Sequence, residues 1–316
     1  MQKFNRLGYC CINETLAATR DITANRGMIK RTFESRGLEY VSEIAMQNIA
    51  DLLTIIQWNH DHDISLYRVT SNLFPWMSEY EFSELPDFSN IHIMLKLCGD
   101  SAIEKDQRLT FHPGPFNVLG SSNKAAVQKT IKDLNQHAAI FDLMGLECSV
   151  KYPVNIHVGG SYGDKEQTLK TFCENFQLLS PSAKKRLIVE NDDKSSTYSV
   201  RELYDGIFQK IGIPITFDYH HHRFNDGGLS EADALGLAAS TWPEHITQLV
   251  HYSSCKKTFE DPTANPRAHA DWVYEKINTH GLQVDIEIES KAKELSVFDY
   301  LRRLNNKTLL TEYVEF

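Results

Sequence analysis

The stretch IPITFDYHHHRFND, residues 213–226, runs an apolar, β-prone segment into an aspartate and three consecutive histidines. A strand over 213–219 buries its middle and releases Asp218 and the histidines where it opens into a loop. The run is internal, so it is not a terminal affinity tag. The fold turns on whether other strands end the same way. Seven further β-prone segments can be read: FNRLGY (4–9), SLYRV (65–69), RLTFHP (108–113), VNIHVGG (154–160), RLIVEN (186–191), QLVHYSS (248–254) and VDIEIES (284–290). Helical patterns lie between them at 41–60, 123–145, 165–179, 199–207 and 231–239. In the second, Ala126, Ile131, Leu134, Ala138 and Phe141 recur at helical intervals and Gly145 follows as a C-cap. Ser199 to Glu202 reads as a capping box. Strand and helix alternating through eight strands predict an α/β fold, a single-domain (β/α)8 TIM barrel over 1–316 with its core at about 4–305. A doubly wound open sheet competes, but no GxGxxG follows the first strand and no GxxxxGK[ST] occurs.

Composition is that of an ordinary globular chain: 316 residues, 41% hydrophobic and 24% charged. No apolar run has transmembrane length and the N-terminus carries no signal-peptide pattern, so a cytoplasmic protein is expected, nuclear if a eukaryote or virus made it. The six cysteines lack CxxC spacing, which removes zinc-finger and disulfide-framework readings. A net charge of −9 is unusual for a generic nucleic-acid binder. Divalent ions held by the carboxylates would offset much of it, so net charge does not exclude DNA. The segment 14–40, carrying Arg20, Arg26, Lys30, Arg31 and Arg36, reads as a long basic loop on the active-site face, either a substrate-binding arm or a solvated loop.

The strand ends carry residues that are costly to bury alone. They are His112, His157, Glu190, Asp218 with His221, His251, and Glu287 with Glu289. In a barrel these ends converge on one face. Imidazoles mixed with carboxylates, without thiolate, suit Mn, Zn or Fe better than Ca or Mg. The remaining histidines at 60, 62, 92, 137, 245 and 280 fall in helices or loops and read as structural. Such a site serves phosphodiester hydrolysis or aldose–ketose isomerisation, and the ligands alone leave both open.

The motifs LGY…N (7–13), YRVTSNLFPW (67–76), FHPGPF (111–116), HVGGSYGDK (157–165), VENDD (189–193), DYHHHRFN (218–225), VHYSS (250–254), PRAH (266–269) and IESKAKE (288–294) separate these classes. Together, in order and from about residue 5 to 295, they resemble the UV damage endonuclease family. That family comprises metal-dependent barrels related to endonuclease IV and the xylose isomerase-like superfamily. The resemblance implies nicking of damaged double-stranded DNA immediately 5′ to UV photoproducts by metal-activated hydroxide. It implies two or three divalent ions, manganese first, with Zn, Mg or Fe as substitutes. It places the metal ligands at His112, His157, Glu190, Asp218, His221, His251, His269 and Glu289; His269 comes from the resemblance alone. Glu190, His251 and His269 are the expected catalytic positions. Tyr9, Asn13, Pro115 and Phe116 are expected to contact the lesion.

Departures from the family pattern are visible. Glu79 stands where relatives often carry a histidine ligand and is expected to ligate. HPGPF replaces HPGQY, so Phe116 keeps a wedge while Pro115 loses hydrogen-bond probing. Leu249 replaces a frequent lysine, and Glu287 is left beside the ligands or facing outward. Alternative functions are abasic-site cleavage of the endonuclease IV type, sugar isomerisation, or a degenerate barrel that binds without cleaving. A monomer is expected, with no protein partner and no membrane implied.

Overall fold

The computed structural model describes residues 4–310. All eight predicted strands form: β1 (Phe4–Cys10), β2 (Leu66–Val69), β3 (Arg108–Phe111), β4 (Val154–Ile156), β5 (Leu187–Glu190), β6 (Ile215–Asp218), β7 (Gln248–Tyr252) and β8 (Val284–Ile288). They pair in parallel and in sequence order, and β8 returns to β1 to close the barrel. Registers such as Tyr9↔Tyr67 and His251↔Glu287 bring the C-terminal ends to one rim. Gly8 makes the β1–β2 seam possible, since a Cβ there would lie 2.0 Å from the Leu66 carbonyl oxygen.

Side chains alternate across a strand, and the contacts below fix which set looks inward. Leu66, Ile188 and Leu249 point to the barrel floor, where they pack with Val150, Trp242 and Ile246 in an apolar cluster separate from the main core. The Arg108 guanidinium sits 5.4 Å from the Trp242 ring centre, pairs with Asp285 at 2.8 Å, and donates to the carbonyls of Val150, Lys151 and Thr247. Two residues further along the same strands, Thr110 and Glu287 contact each other, and Arg68 joins them. A buried ion pair is tolerable when hydrogen bonds accompany it, and here an arginine faces the carboxylates of both layers.

The outer helices bury the predicted stripes. The helix Lys124–Leu143 is capped by Asn123, whose side chain accepts from the amides of Ala125 and Ala126, and it buries Ile131, Leu134, Ala138 and Phe141. The Ser199–Glu202 capping box forms in both directions. Three expectations need correction. Residues 14–40 are not a loop throughout: Glu14–Arg20 is helical, and the helix expected at 41–60 runs from Lys30 to Asp61. A break at Gly37 (φ 62°, ψ −158°) divides it, and glycine adopts that conformation without strain. The pattern at 199–207 winds into a π-helical turn over Tyr204–Phe208. Helices Phe88–Glu104 and Lys293–Asn305 were not predicted. Among the described residues, no helix is long and apolar enough to cross a membrane.

Candidate metal centre

The triple histidine resolves into a helical turn, Tyr219–His222, stacked directly on β6. Asp218 caps it, accepting from the His221 amide at 2.7 Å. The turn sends His221 toward the barrel axis, its Nδ1 3.8 Å from Asp218 Oδ1 and 3.4 Å from Glu190 Oε1. His220 is buried edge-on to Phe224 and His269, with ring centres 5.2 Å away in both cases. His222 packs at 5.2 Å from the Phe217 ring. Three adjacent residues of one type thus face three environments.

Glu190, at the end of β5 and 1% exposed, is the hub. Its Oε2 lies 3.0 Å from His112 Nε2 and 3.0 Å from His251 Nδ1, and Asn155 donates to the same oxygen. Its Oε1 lies 3.9 Å from His157 Nε2. Three of the four rings also hold their second nitrogen close to a partner, while in His221 the same Nδ1 makes both contacts. His112 Nδ1 donates to the Pro113 carbonyl at 3.1 Å, and His157 Nδ1 faces Asp192 Oδ1 at 3.2 Å. His221 Nδ1 donates to the Asn191 carbonyl at 2.9 Å. His251 Nε2 meets Arg68 Nη2 at 2.8 Å and Glu287 Oε2 at 3.2 Å. Such outer contacts set ring orientation and the nitrogen left for a ligand.

Glu289, just past β8, extends the cluster: its Oε1 is 3.4 Å from His251 Nδ1 and 2.6 Å from Arg68 Nη1. His269 reaches it from an irregular segment held beside β7 by a bridge to Cys255, with Nδ1 donating to the Glu289 carbonyl at 3.1 Å. The pKa values follow from this crowding. Burial opposes charge on His251, but Glu190 and Glu289 outweigh burial and Arg68 and lift it to about 10. Burial would raise Glu190, yet His251, His157, His112 and His221 hold it well below the usual carboxylate range. Burial lowers His112 and raises Asp218.

Two overlapping triads, His112–His157–Glu190 and Glu190–Asp218–His251, each bring three ligand atoms within 4.8 Å of one another. Asp218 Oδ2 is buried without a hydrogen-bond partner, an unmet acceptor that a cation would satisfy. The donors are nitrogen and oxygen only, which fits first-row divalent ions.

The remaining expected site residues divide. Pro115 and Phe116 are exposed at a turn in which the Asn117 amide donates to the Gly114 carbonyl at 3.1 Å. Pro115 occupies the second position of that turn, where its fixed φ is suited, and Phe116 is left 90% exposed. Tyr9 and Asn13, the other expected lesion contacts, are both fully buried. Tyr9 donates to Asn59 Oδ1 and accepts from Asn13 Nδ2, each at 2.8 Å, while Asn13 caps the helix Glu14–Arg20. Glu79, the further expected ligand, is exposed, lies 3.6 Å from Lys129 and belongs to neither triad. Glu287 faces inward, completely buried. Arg68 was missed. Its one legible signal is a cation inside a strand pattern, two residues before Thr70 in YRVTS.

A closed eight-strand barrel with imidazoles and carboxylates gathered on its C-terminal rim defines the fold, one shared with endonuclease IV and a xylose isomerase domain protein from Planctomyces limnophilus. The likeness is one of fold: endonuclease IV from Thermus thermophilus superposes with a TM-score of 0.54 at 12% identity, covering 81% of this chain and 94% of its own. The family model of UV-endonuclease UvdE matches residues 5–315, and the chain belongs to that family. It is 36% identical over 311 residues to the UV-damage endonuclease of Schizosaccharomyces pombe, matching 94% of this chain but 50% of that protein's length. It is 34% identical to the UV DNA damage endonuclease of Bacillus thuringiensis subsp. konkukian, covering 84% of this chain and 83% of the relative. The crystal structure of SacUVDE superposes with a TM-score of 0.81 at 31% identity, covering 96% and 99% of the two chains.

Proposed function

We propose that this chain nicks damaged duplex DNA immediately 5′ to UV photoproducts, pyrimidine dimers and 6-4 photoproducts, leaving a 3′-hydroxyl. The observation that carries the reading is one buried carboxylate, Glu190, ringed by His112, His157, His221 and His251 at the barrel rim of a chain in this family. Those five residues with Asp218, Glu289 and His269 would hold two or three divalent ions, manganese first. When bound, such ions lower the pKa of water and neutralise charge developing on the phosphate oxygens. A hydroxide oxygen bonds to phosphorus, the P–O3′ bond breaks, and the 3′ oxygen leaves protonated. His251 is completely buried, so it serves as ligand and charge partner beneath Glu190 without touching DNA. Phe116 stands where it can enter the base stack, which a photoproduct has already weakened. Pro115 and Phe116 offer only apolar surface at that tip, which favours sensing of weak stacking over hydrogen-bond reading and extends the substrate range to abasic sites.

The test is supercoiled plasmid, irradiated, depurinated or untouched, incubated with Mn²⁺ or EDTA. Nicking of irradiated and depurinated plasmid is expected with Mn²⁺ and not with EDTA, and Glu190→Gln should lower it by orders of magnitude. Equal nicking of untouched plasmid, or full activity in EDTA, contradicts the reading.

A further inference from the structure

The basic segment after β1 contains a feature that the metal centre does not use. Between the helices Glu14–Arg20 and Lys30–Asp61 the chain crosses the rim through residues 21–29. This crossing is tied down on two sides. From the long helix, Asp51 accepts from the Thr23 amide at 2.9 Å and pairs with the Arg26 guanidinium. Asn48, fully buried, accepts from the Arg26 amide at 3.0 Å and donates to its carbonyl at 2.9 Å. From the loop after β2, Thr70 donates to Asn25 Oδ1 at 2.6 Å and Asn72 donates to the same oxygen at 2.9 Å. Trp76 donates from its indole to the Met28 carbonyl at 2.8 Å and stacks on Phe33, with centroids 5.9 Å apart.

What this scaffold holds out is apolar. Ile29 is 70% exposed, the most exposed aliphatic side chain among the described large hydrophobics. Exposed Lys30 and Arg31 follow it, and exposed Arg20 ends the preceding helix. Among the described residues, Arg20 and Arg31 make no recorded ion pair or side-chain hydrogen bond, and Lys30 has only an exposed Glu34 at 3.7 Å. The crossing is continuous with the metal centre, because Ser71 of the same β2 loop donates to the His112 carbonyl at 3.1 Å. A tip with one exposed aliphatic side chain followed directly by two exposed cations matches one occupant, the duplex: phosphates for the cations and a base step for the apolar side chain.

The geometry points to the ridge Ile29–Arg31 as a second DNA-gripping element, in which Ile29 wedges the base stack while Lys30 and Arg31 hold the flanking phosphates. Phe116 and Ile29 then enter the duplex from different loops of one rim and share the work of opening it. This inference rests on the proposed function, and its test separates the two. Binding of an irradiated duplex carrying 2-aminopurine beside the lesion is followed by anisotropy and by 2-aminopurine fluorescence across a salt series, with Ca²⁺ in place of Mn²⁺. Ile29→Ser should bind about tenfold more weakly, the loss expected for an Ile side chain left without apolar cover. It should also weaken the unstacking signal and leave the salt slope unchanged. Arg31→Ala should reduce the slope of log K against log salt by about 0.9 and keep the unstacking signal once bound. Both positions are exposed, so melting temperatures should match the parent. If the parent binds and unstacks the duplex while both variants behave as it does, the ridge is overturned and the proposed function stands. If the parent fails to bind irradiated DNA, both are overturned.

Discussion

Replacing Arg68 with methionine isolates the polar layer beneath the metal centre. The guanidinium is 9% exposed and makes contacts of 2.7 Å from Nε and 2.6 Å from Nη2 to Glu287 Oε2, and 2.6 Å from Nη1 to Glu289 Oε1. Methionine fills much of the volume but leaves Glu287, completely buried, with Thr110 and His251 as its partners. Removing one member of a buried pair costs about 3–5 kcal/mol, because the surviving charge has lost its compensation. For a chain of this length each kcal/mol lowers Tm by about 2–3 °C, so Arg68→Met should melt roughly 6–15 °C below the parent. Glu287→Gln added to it removes the stranded charge and keeps an oxygen for Thr110. The double variant should therefore be more stable than the sum of the two single losses by about 1 kcal/mol or more. Calorimetry of all four proteins in EDTA tests this without stabilisation by bound ions. A Tm for Arg68→Met within 2 °C of the parent would falsify the claim that this pair supports the site, as would strictly additive losses.

Phe116→Ala should leave Tm unchanged, given 90% exposure, and weaken binding to irradiated duplex by about tenfold or more, since base–aromatic stacking is worth ~1–3 kcal/mol. Phe116→Tyr should be tolerated; parental affinity in the alanine variant would reduce Phe116 to rim packing. His220 is held neutral, its pKa pushed down to about 3 by burial against an ordinary 6.5. The unfolded chain takes up that proton first, so this contribution is complete above pH 6.5 and is lost as pH falls toward 3. Urea unfolding of His220→Leu should gain on the parent by about 2 kcal/mol between pH 7 and 5, and a pH-independent difference would refute it. Loading the ion-free protein with Mn²⁺ at pH 8 should release about one proton or more per chain, because His251 sits at about 10 where a free imidazole would already be neutral. Calorimetric titration in two buffers of different ionisation enthalpy measures it, and no release would contradict the charge on His251.

The barrel was legible because six of the eight strands combine two signals that rarely occur together by chance: β-prone apolar residues and a polar residue at the C-terminal end. The inward parity carries the second signal, for His112, His157, Glu190, Asp218, His251 and Glu289 all fall on the same face as the floor residues of their strands. What the linear pattern could not resolve was depth. Tyr9 is on the rim strand in sequence, yet it turns to the helix side and bonds Asn59, fifty residues away. Glu79 was placed by alignment of motifs, while its short 3₁₀ turn carries it toward Lys129. The helical stretches at 14–20 and 30–36 were hidden by Gly27, Gly37 and the intervening Thr and Ser residues, which weaken local helical preference until Trp76, Asn48 and Asp51 hold the backbone.

The charge pattern inside the barrel explains why Arg68 belongs to the site although it is no ligand. Five inward carboxylates, Glu190, Asp218, Asp285, Glu287 and Glu289, share the axis with two inward arginines, Arg68 and Arg108. Arg108 balances Asp285 at the floor, with Arg6 adding a contact at 3.6 Å. Arg68 spans Glu287 and Glu289 and neutralises one of the two. The excess therefore collects at the rim, on Glu190, Asp218 and one further carboxylate, among imidazoles whose lone pairs point at the same space. In low dielectric that excess must be met by protons or by cations. Raised pKa values at His157, His221 and His251 are the proton solution. Divalent ions would be the other solution, and they would also supply Lewis acidity to the proposed phosphodiester cleavage. The layer beneath thus concentrates negative charge where ions are wanted, while Arg68 keeps that charge from spreading down the barrel.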